Sequence, residues 1–185
     1  MRLFFCVELE AAVREALEEV TGGLRSRLGP GTKWVVKENL HITVRFIGEV
    51  EEALAERLAE LGSHVAREAT PFAFVLSHLG AFPTPRRARV IWAGPEGDPR
   101  AFAELVQSVE AGVQELGLPP ECKEARAHVT LARLKPPRDV AAALAGVSFP
   151  RLTVEVGALT LMRSQLTPQG PIYTPVGRWP LGGGR

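Results

Sequence analysis

Two short segments of the chain place a histidine and a threonine in the same order, with apolar residues between and after them. The segments read HITV and HVTL, and they contain two of the four histidines. Side chains at positions i and i+2 of a β-strand point to the same face. Each segment therefore predicts one imidazole and one hydroxyl side by side: His41 with Thr43, and His128 with Thr130.

Paired imidazoles on separate strands suit acid–base catalysis at phosphorus. An unperturbed histidine titrates near about pH 6.5, so it can donate or accept a proton at neutral pH. In-line phosphoryl transfer puts the attacking and leaving oxygens on opposite sides of phosphorus, and the base and the acid must lie there too. The hydroxyls of Thr43 and Thr130 can donate hydrogen bonds to the non-bridging oxygens, where charge accumulates. This scheme needs no metal, and no cofactor is expected.

Two other interpretations of the motifs are open. One such motif alone is typical of a polar strand face exposed to solvent. Two histidines could also bind a metal ion, but a catalytic zinc generally takes a third protein ligand, and the sequence holds no HExxH or HxH segment. The matched pair of motifs favours acid–base catalysis over both alternatives.

Positive charge is not spread over the whole chain. The net charge is +1, so binding of a phosphate-bearing partner must depend on a local patch. Arginine outnumbers lysine by 18 to 4, and the planar guanidinium group of arginine can donate to two phosphate oxygens at once. Arg86, Arg87 and Arg89, in and just after the loop FPTPRR, could form an electrostatic track for a phosphate backbone together with Lys33 and Lys37. A solvated loop is the competing interpretation.

Composition places the chain among soluble globular proteins. Hydrophobic residues make up 45% and charged residues 23%. The opening apolar run is too short for a signal peptide, and no stretch approaches the ~20 apolar residues of a membrane helix. A cytoplasmic monomer with no membrane contact is expected. Cys6 and Cys122 are expected as two buried thiols, with a disulfide as the alternative. Asn39 is the sole asparagine, and scarce amides are typical of thermophiles.

The element pattern predicts an α+β fold. Apolar residues at helical spacing mark helices that begin near positions 10, 51 and 99, and a short one within KPPRDVAAALAG. About eight strands surround them, and they favour mostly antiparallel sheets. Because a motif strand followed by a helix occurs twice, residues 1–185 are expected to form one domain of two pseudo-symmetric, interlocked lobes.

The chain resembles the two-histidine (2H) phosphoesterases, and among them the RNA 2′,3′-cyclic phosphodiesterases, also called 2′-5′ RNA ligases or LigT-like proteins. LHITVRFIGE and HVTLAR resemble the two signature segments of that family. RLFFCVEL, ARVIWAG and LMRSQLTPQGPIYTPV resemble its opening, middle and closing segments. The similarity covers nearly the whole chain.

The resemblance implies a bilobal fold with the active-site cleft between the two lobes, and a metal-independent enzyme. Its expected reaction is hydrolysis of RNA 2′,3′-cyclic phosphate ends to 2′-phosphomonoesters, with tRNA-derived ends among the candidate substrates. In reverse, a 5′-hydroxyl would open the ring and form a 2′-5′ linkage without ATP. By resemblance, His41 is the general acid and His128 the general base; the residues alone leave this assignment open.

Further site residues follow from the resemblance. Arg133 matches an arginine just after the second motif and is expected at the phosphate. It lies five residues after His128, so it reaches the cleft only if the strand ends or bulges. Arg45 lies four residues after His41, so an unbroken strand would place both side chains on the same face. It is a secondary candidate. Tyr173, in the closing segment, could stack on a base, or could be a core or rim aromatic residue.

Two alternative functions fit the same motifs. A related activity of the same superfamily would act on a small cyclic nucleotide or a 2′-5′ oligonucleotide. This alternative stays open because no residue of the sequence clearly indicates recognition of a particular base. A non-enzymatic module would bind RNA ends without turnover. The intact histidine and threonine of both motifs favour an enzyme.

Overall fold

The fold is α+β, in a computed structural model that describes residues 1–184. The described residues contain ten strands: β1 (Arg2–Glu8), β2 (Thr32–Trp34), β3 (His41–Glu49), β4 (Phe72–Leu76), β5 (His78–Thr84), β6 (Arg87–Gly94), β7 (Val129–Arg138), β8 (Leu152–Val156), β9 (Ala158–Thr167) and β10 (Gly170–Pro180). The helices are α1 (Ala11–Leu28), α2 (Glu52–Glu68), α3 (Arg100–Glu115) and α4 (Ala141–Ala145), with short 3-10 segments at Lys37–Asn39 and Leu181–Gly184.

One large sheet carries both motifs. Its strand order is β10-β9-β1-β3-β7-β6-β5, with β2 paired to β7, while β4 and β8 form a separate two-stranded sheet. The pairings among the described strands are antiparallel. The motif strands β3 and β7 lie side by side but are joined only at Ile42 and Val129. The predicted α+β class with mostly antiparallel sheets is confirmed.

The helices cover the face of the sheet opposite the two motifs. The first helix buries Val13, Leu17, Val20 and Leu24 on one side, as its apolar period predicts. Ile42 and Val129, on the sheet, are fully buried and belong to the same core. Each such side chain contributes roughly 1.5–3 kcal/mol by leaving water. Because the motif strands alternate, this burial fixes which face their polar residues present.

Two segments differ from the sequence expectation. Positions 135–138, expected at the start of a helix, continue β7, and positions 82–84, expected in a loop, belong to β5. Proline has no N–H for a sheet ladder. The β7–β6 register jumps between Arg133 and Arg138, so Pro136 and Pro137 are not required to donate to β6.

Among residues 1–184, no helix is long and apolar enough to cross a membrane.

Candidate active site

A cleft of about 420 Å³ opens on the face of the large sheet away from the helices. Strands β1, β2, β3, β7, β9 and β10 contribute its walls. The predicted site residues among its lining are His41, Thr43, His128, Thr130, Arg133 and Tyr173. The fold thus brings both motifs into one cavity.

The strand register arranges the two motifs around a local twofold axis. Ile42 pairs with Val129, so in an antiparallel pair His41 lies across from Thr130, and Thr43 lies across from His128. The two histidines are therefore diagonal neighbours. Diagonal side chains of a regular sheet are about 7–8 Å apart, and a gap of that size leaves room for a phosphate group between the imidazoles.

Backbone carbonyls fix the orientation of both imidazoles in the same way. The Nδ1–H of His41 donates to the carbonyl of Asn39 at 2.7 Å, and that of His128 donates to the carbonyl of Arg126 at 3.1 Å. A carbonyl can only accept, so Nδ1 carries the proton in each ring and Nε2 is left for chemistry. Thr43 Oγ1 lies 3.0 Å from His41 Nε2 and donates to it when the ring is neutral.

A β-bulge at Leu131 turns Arg133 towards the cleft. In the β6–β7 register Trp92 pairs with Thr130 and Ile91 pairs with Ala132, which leaves Leu131 as the extra residue. The extra residue reverses the alternation beyond it. Arg133 consequently lies on the same face as Thr130 and lines the cavity. Simple alternation from His128 would have directed it to the opposite face.

A matching bulge at Val44 corrects the expectation for Arg45. Phe5 pairs with Arg45 and Cys6 pairs with Thr43, so Val44 is the extra residue of β3. Beyond it, Arg45 turns to the helix side and its Nε donates to Glu110 Oε2 on α3 at 2.5 Å. The next residue, Phe46, takes the place in the cleft lining that Arg45 was expected to fill.

The remaining predicted residues divide between the cleft and its surroundings. Tyr173 lines the cleft, with its ring edge-on to His41 at 5.4 Å and to Phe4 at 5.0 Å. Arg86 and Arg87 are exposed at the β5–β6 turn and do not line the cavity. Any contact they make with RNA therefore lies beyond the group held in the cleft.

The surroundings of both imidazoles disfavour their charged forms. Burial lowers the pKa of His41 and of His128, and the nearby guanidinium of Arg133 lowers both pKa values further. The carbonyls of Asn39 and Arg126 act in the opposite direction but do not offset burial. Both rings are consequently neutral in the free protein at pH 7, and an anion placed between them would raise their pKa values.

The motifs do not reveal two cations of the cleft or the aromatic neighbour of His128. Phe82 is edge-on to His128 at 5.4 Å, much as Tyr173 is to His41. Arg2 and Lys33 join Arg133 in the lining, and none of the described lining residues is acidic. Lys33 lies beside Arg133 because these residues pair between β2 and β7. Only strand pairing, which local sequence does not encode, brings Arg2 into the cleft and Phe82 against His128.

Within residues 1–184, no three side chains of the kinds that bind metals cluster together. The cationic lining favours an anionic ligand.

Comparison with known proteins agrees with the geometry. The family model described as LigT like Phosphoesterase matches residues 7–92 and 94–173. An RNA 2′,3′-cyclic phosphodiesterase of Methanothermobacter thermautotrophicus is 35% identical over 181 residues, which cover 94% of this chain and 95% of that protein. The protein of the same name from Thermus thermophilus is 37% identical and covers 99% and 91%.

Solved structures are similar over the whole chain. A protein of Thermus thermophilus superposes with a TM-score of 0.83 at 34% identity and covers 100% of both chains. Escherichia coli LigT in complex with 3′-AMP superposes with a TM-score of 0.76 at 26% identity and covers 97% of both chains. As the paired motifs predict, the chain belongs to the LigT-like phosphoesterase family.

Proposed function

We propose that this protein is a metal-independent RNA 2′,3′-cyclic phosphodiesterase that produces 2′-phosphomonoesters. One observation carries the proposal: two imidazoles with identical carbonyl anchors present Nε2 to one cleft from diagonal positions. Relatives named RNA 2′,3′-cyclic phosphodiesterase support the substrate class. An RNA end, including a tRNA-derived one, is the proposed partner, and the protein is proposed to act as a monomer.

The proposed reaction follows from the positions of the two Nε2 atoms. Neutral His128 accepts a proton at Nε2 from water as the water oxygen bonds to phosphorus. Protonated His41 donates its Nε2 proton to the 3′ oxygen as the bond from phosphorus to that oxygen breaks. The products are a 2′-phosphomonoester and a free 3′-hydroxyl, and His41 regains its proton from solvent or from His128. Each proton transfer contributes roughly 10²–10⁴-fold in rate.

The threonines and Arg133 are proposed to hold the phosphoryl group. Each threonine lies across from the histidine of the other motif, so the hydroxyls of Thr43 and Thr130 flank the gap between the rings. The guanidinium group of Arg133 adds several N–H donors and a positive charge on the same face as Thr130. These donors stabilise the charge that accumulates on the non-bridging oxygens.

The same groups support a ligation reaction. A 5′-hydroxyl that attacks the cyclic phosphate in place of water would be deprotonated by one imidazole, while the other protonates the departing 3′ oxygen of the ring. The bond formed is a 2′-5′ phosphodiester, and the ring strain of the cyclic phosphate supplies the driving force. We propose this ligation as a minor activity, because water competes with the hydroxyl in an open cleft.

The test uses an RNA that ends in a 2′,3′-cyclic phosphate, with EDTA present throughout. We expect the wild type to yield the 2′-phosphomonoester, and His41→Ala and His128→Ala each to lose roughly 10²–10⁴-fold in kcat. His64→Ala is the matched control, because His64 is exposed on α2 outside the cleft. Loss of wild-type activity in EDTA, a 3′-phosphate product, or full activity of either cleft variant would overturn the proposal.

A second candidate is a phosphodiesterase for a small cyclic nucleotide or a 2′-5′ oligonucleotide. The cavity of about 420 Å³ favours it, because such a volume suits a ligand of roughly one nucleotide. Competition between an RNA with a cyclic phosphate end and these small substrates separates the candidates. A higher kcat/KM for the RNA than for any small substrate supports the first proposal.

A further inference from the structure

Asn39 makes two hydrogen bonds that together join the first imidazole to the edge of the large sheet. Its backbone carbonyl accepts from His41 Nδ1–H at 2.7 Å. Its side-chain Nδ2 donates to the carbonyl of Pro171, the second residue of β10, at 2.9 Å. In the sheet, β9 and β1 separate β10 from β3. Asn39 therefore connects His41 to a strand with which its own strand does not pair.

The contact between Asn39 and Pro171 requires an amide. A backbone carbonyl can only accept a hydrogen bond, so the group that faces Pro171 must carry an N–H or an O–H. An ionised carboxylate of the same size would place oxygen lone pairs against the carbonyl oxygen instead. Asn39 is the only asparagine in the chain, and the contact is partly buried. An unpaired donor or acceptor in such a place costs roughly 1–3 kcal/mol.

The backbone around Asn39 has little support of its own. The chain passes here from β2, which pairs with β7, to β3, through the single 3-10 turn Lys37–Asn39. Within that turn the Asn39 N–H donates to the carbonyl of Val36 at 2.9 Å. Turns of this kind are short and have poor hydrogen-bond geometry. The bond to Pro171 therefore supplies an external anchor for the peptide whose carbonyl holds His41.

The second motif has no equivalent anchor. The carbonyl of Arg126 accepts from His128 Nδ1–H at 3.1 Å, but the Arg126 side chain is 53% exposed and its ion pair is with Glu124, in the same loop, at 3.9 Å. Among residues 1–184, no hydrogen bond connects the Arg126 side chain to a strand. The two imidazoles thus share a carbonyl contact and differ in what holds that carbonyl.

We propose that Asn39 is a positioning residue for His41. Its side chain fixes its own peptide against β10, and the carbonyl of that peptide keeps the proton of a neutral His41 on Nδ1 and aims Nε2 into the cleft. The role in catalysis rests on the proposed function, in which His41 Nε2 delivers a proton to the departing oxygen. A displacement of about 1 Å in such a group can cost roughly 10²-fold in rate.

The kinetic experiment compares Asn39→Ala and Asn39→Asp with the wild type on an RNA that ends in a 2′,3′-cyclic phosphate. We expect both variants to lose roughly 10- to 100-fold in kcat. KM should stay near the wild-type value, because other side chains are proposed to hold the phosphoryl group. Asn39→Asp keeps the size and shape of the side chain and removes only its donor, so it separates the hydrogen bond from the space that the side chain fills.

The control for the kinetic experiment is Glu38→Ala. Glu38 belongs to the same turn, but its side chain is exposed and does not line the cleft. This variant should keep the wild-type kcat and KM.

A second measurement does not depend on turnover. Nitrogen-15 NMR at pH 7 shows which ring nitrogen of each histidine carries the proton, and the signals are assigned by their absence from His41→Ala and His128→Ala. In the wild type we expect the proton of His41 on Nδ1. In both Asn39 variants we expect it to be divided between Nδ1 and Nε2. The ring of His128, in the same molecules, is the internal control and should not change.

The two measurements separate the possible failures. Wild-type kcat in Asn39→Asp, an unchanged His41 tautomer, or an equal change at His128 would overturn the inference. If Asn39→Ala does not fold, the isosteric Asn39→Asp still gives both comparisons. If the wild type hydrolyses no RNA cyclic phosphate end, the proposed function fails; a His41 tautomer that still changes in the Asn39 variants then supports the positioning role alone.

Discussion

Arg45 and Glu110 form an ion pair that ties the first motif strand to the segment leading into the second. Arg45 Nε donates to Glu110 Oε2 at 2.5 Å, and its other nitrogens donate to the carbonyls of Phe46 and Pro119, each at 2.6 Å. Glu110 Oε1 accepts from the backbone N–H of Glu121 at 3.0 Å. The pair thus links β3, α3 and the loop before His128.

Removing one partner of this pair should destabilise the protein. The side chains of Arg45 and Glu110 are only 10% and 22% exposed. Arg45→Ala would leave a largely buried carboxylate without its cation, at a cost of roughly 3 kcal/mol in the free energy of unfolding. Urea denaturation at pH 7 measures this loss. Arg100→Ala, which breaks an exposed pair with Glu104, is the control and should cost less than about 0.5 kcal/mol.

The same pair has a signature at low pH. Burial would raise the pKa of Glu110, but hydrogen bonds from Arg45, Gln114 and the Glu121 N–H outweigh it and hold the pKa at about 2. Because the folded pKa lies below the usual 4.5, this stabilisation is complete above pH 4.5 and is lost as the pH falls towards 2. Glu110→Gln should flatten the stability profile over that range; an unchanged slope would contradict the contribution of this carboxylate.

The pH dependence of kcat/KM should be bell-shaped, with its maximum below pH 6.5. The proposed reaction needs one imidazole neutral and the other protonated, and the pKa of both His41 and His128 is lowered from 6.5 in the free protein. The singly protonated form is therefore most abundant on the acid side of the usual histidine pKa. In kcat the maximum should move to higher pH, because a bound phosphate stabilises the imidazolium. A kcat/KM maximum above about pH 7 would contradict this account.

Arg133→Ala should change both affinity and pH dependence. Loss of hydrogen bonds to a charged group costs about 1.5–3 kcal/mol, or roughly ten- to hundredfold in kcat/KM. Since the Arg133 charge lowers the pKa of both histidines, its removal should also move the kcat/KM maximum to higher pH. Arg133→Lys keeps the charge and should preserve the profile but not the full affinity. Arg57→Ala, an exposed change on α2, should alter neither quantity.

Arg86 and Arg87 should matter only for longer substrates. They are exposed at the β5–β6 turn outside the cleft, so the double alanine variant should hydrolyse a nucleoside 2′,3′-cyclic phosphate as the wild type does. For an oligonucleotide, removal of one cation that neutralises a phosphate reduces the slope of log K against log salt by about 0.7. Measured binding of an RNA end of about ten nucleotides at several salt concentrations tests this. An unchanged slope would mean that both arginines are simply solvated.

The alternation of the motif strands predicted which side chains share the cleft, but not how far the alternation continues. His41 with Thr43, and His128 with Thr130, follow from the period of a strand, because Ile42 and Val129 must be buried. The bulges could not be predicted locally, because Val44 and Leu131 are ordinary apolar strand residues. Each bulge is defined by the register of the neighbouring strand, which comes from a distant part of the chain.

The roles of single arginines depended on that missing information. Strict alternation counted from each histidine places Arg45 on the cleft face and Arg133 on the opposite face. The bulges at Val44 and Leu131 reverse both assignments. Arg2 reaches the cleft, and Phe82 reaches the ring of His128, through pairing across the sheet, so no spacing in the sequence marks them. The prolines of KPPR mark an end of regular pairing, and β7 nonetheless continues through them because β6 makes no ladder pair there.

The two bulges also give the site a direction. A pair of imidazoles related by a twofold axis would accept a phosphodiester equally well in either of two orientations that differ by a half-turn. Each bulge brings the fifth residue after its histidine into the cleft, and these residues are Phe46 on one side and Arg133 on the other. An aromatic ring and a cation favour different parts of a nucleotide, so a half-turn of the substrate exchanges good contacts for poor ones. In the proposed reaction, one repeated position, filled by two different residues, would determine which imidazole meets which oxygen.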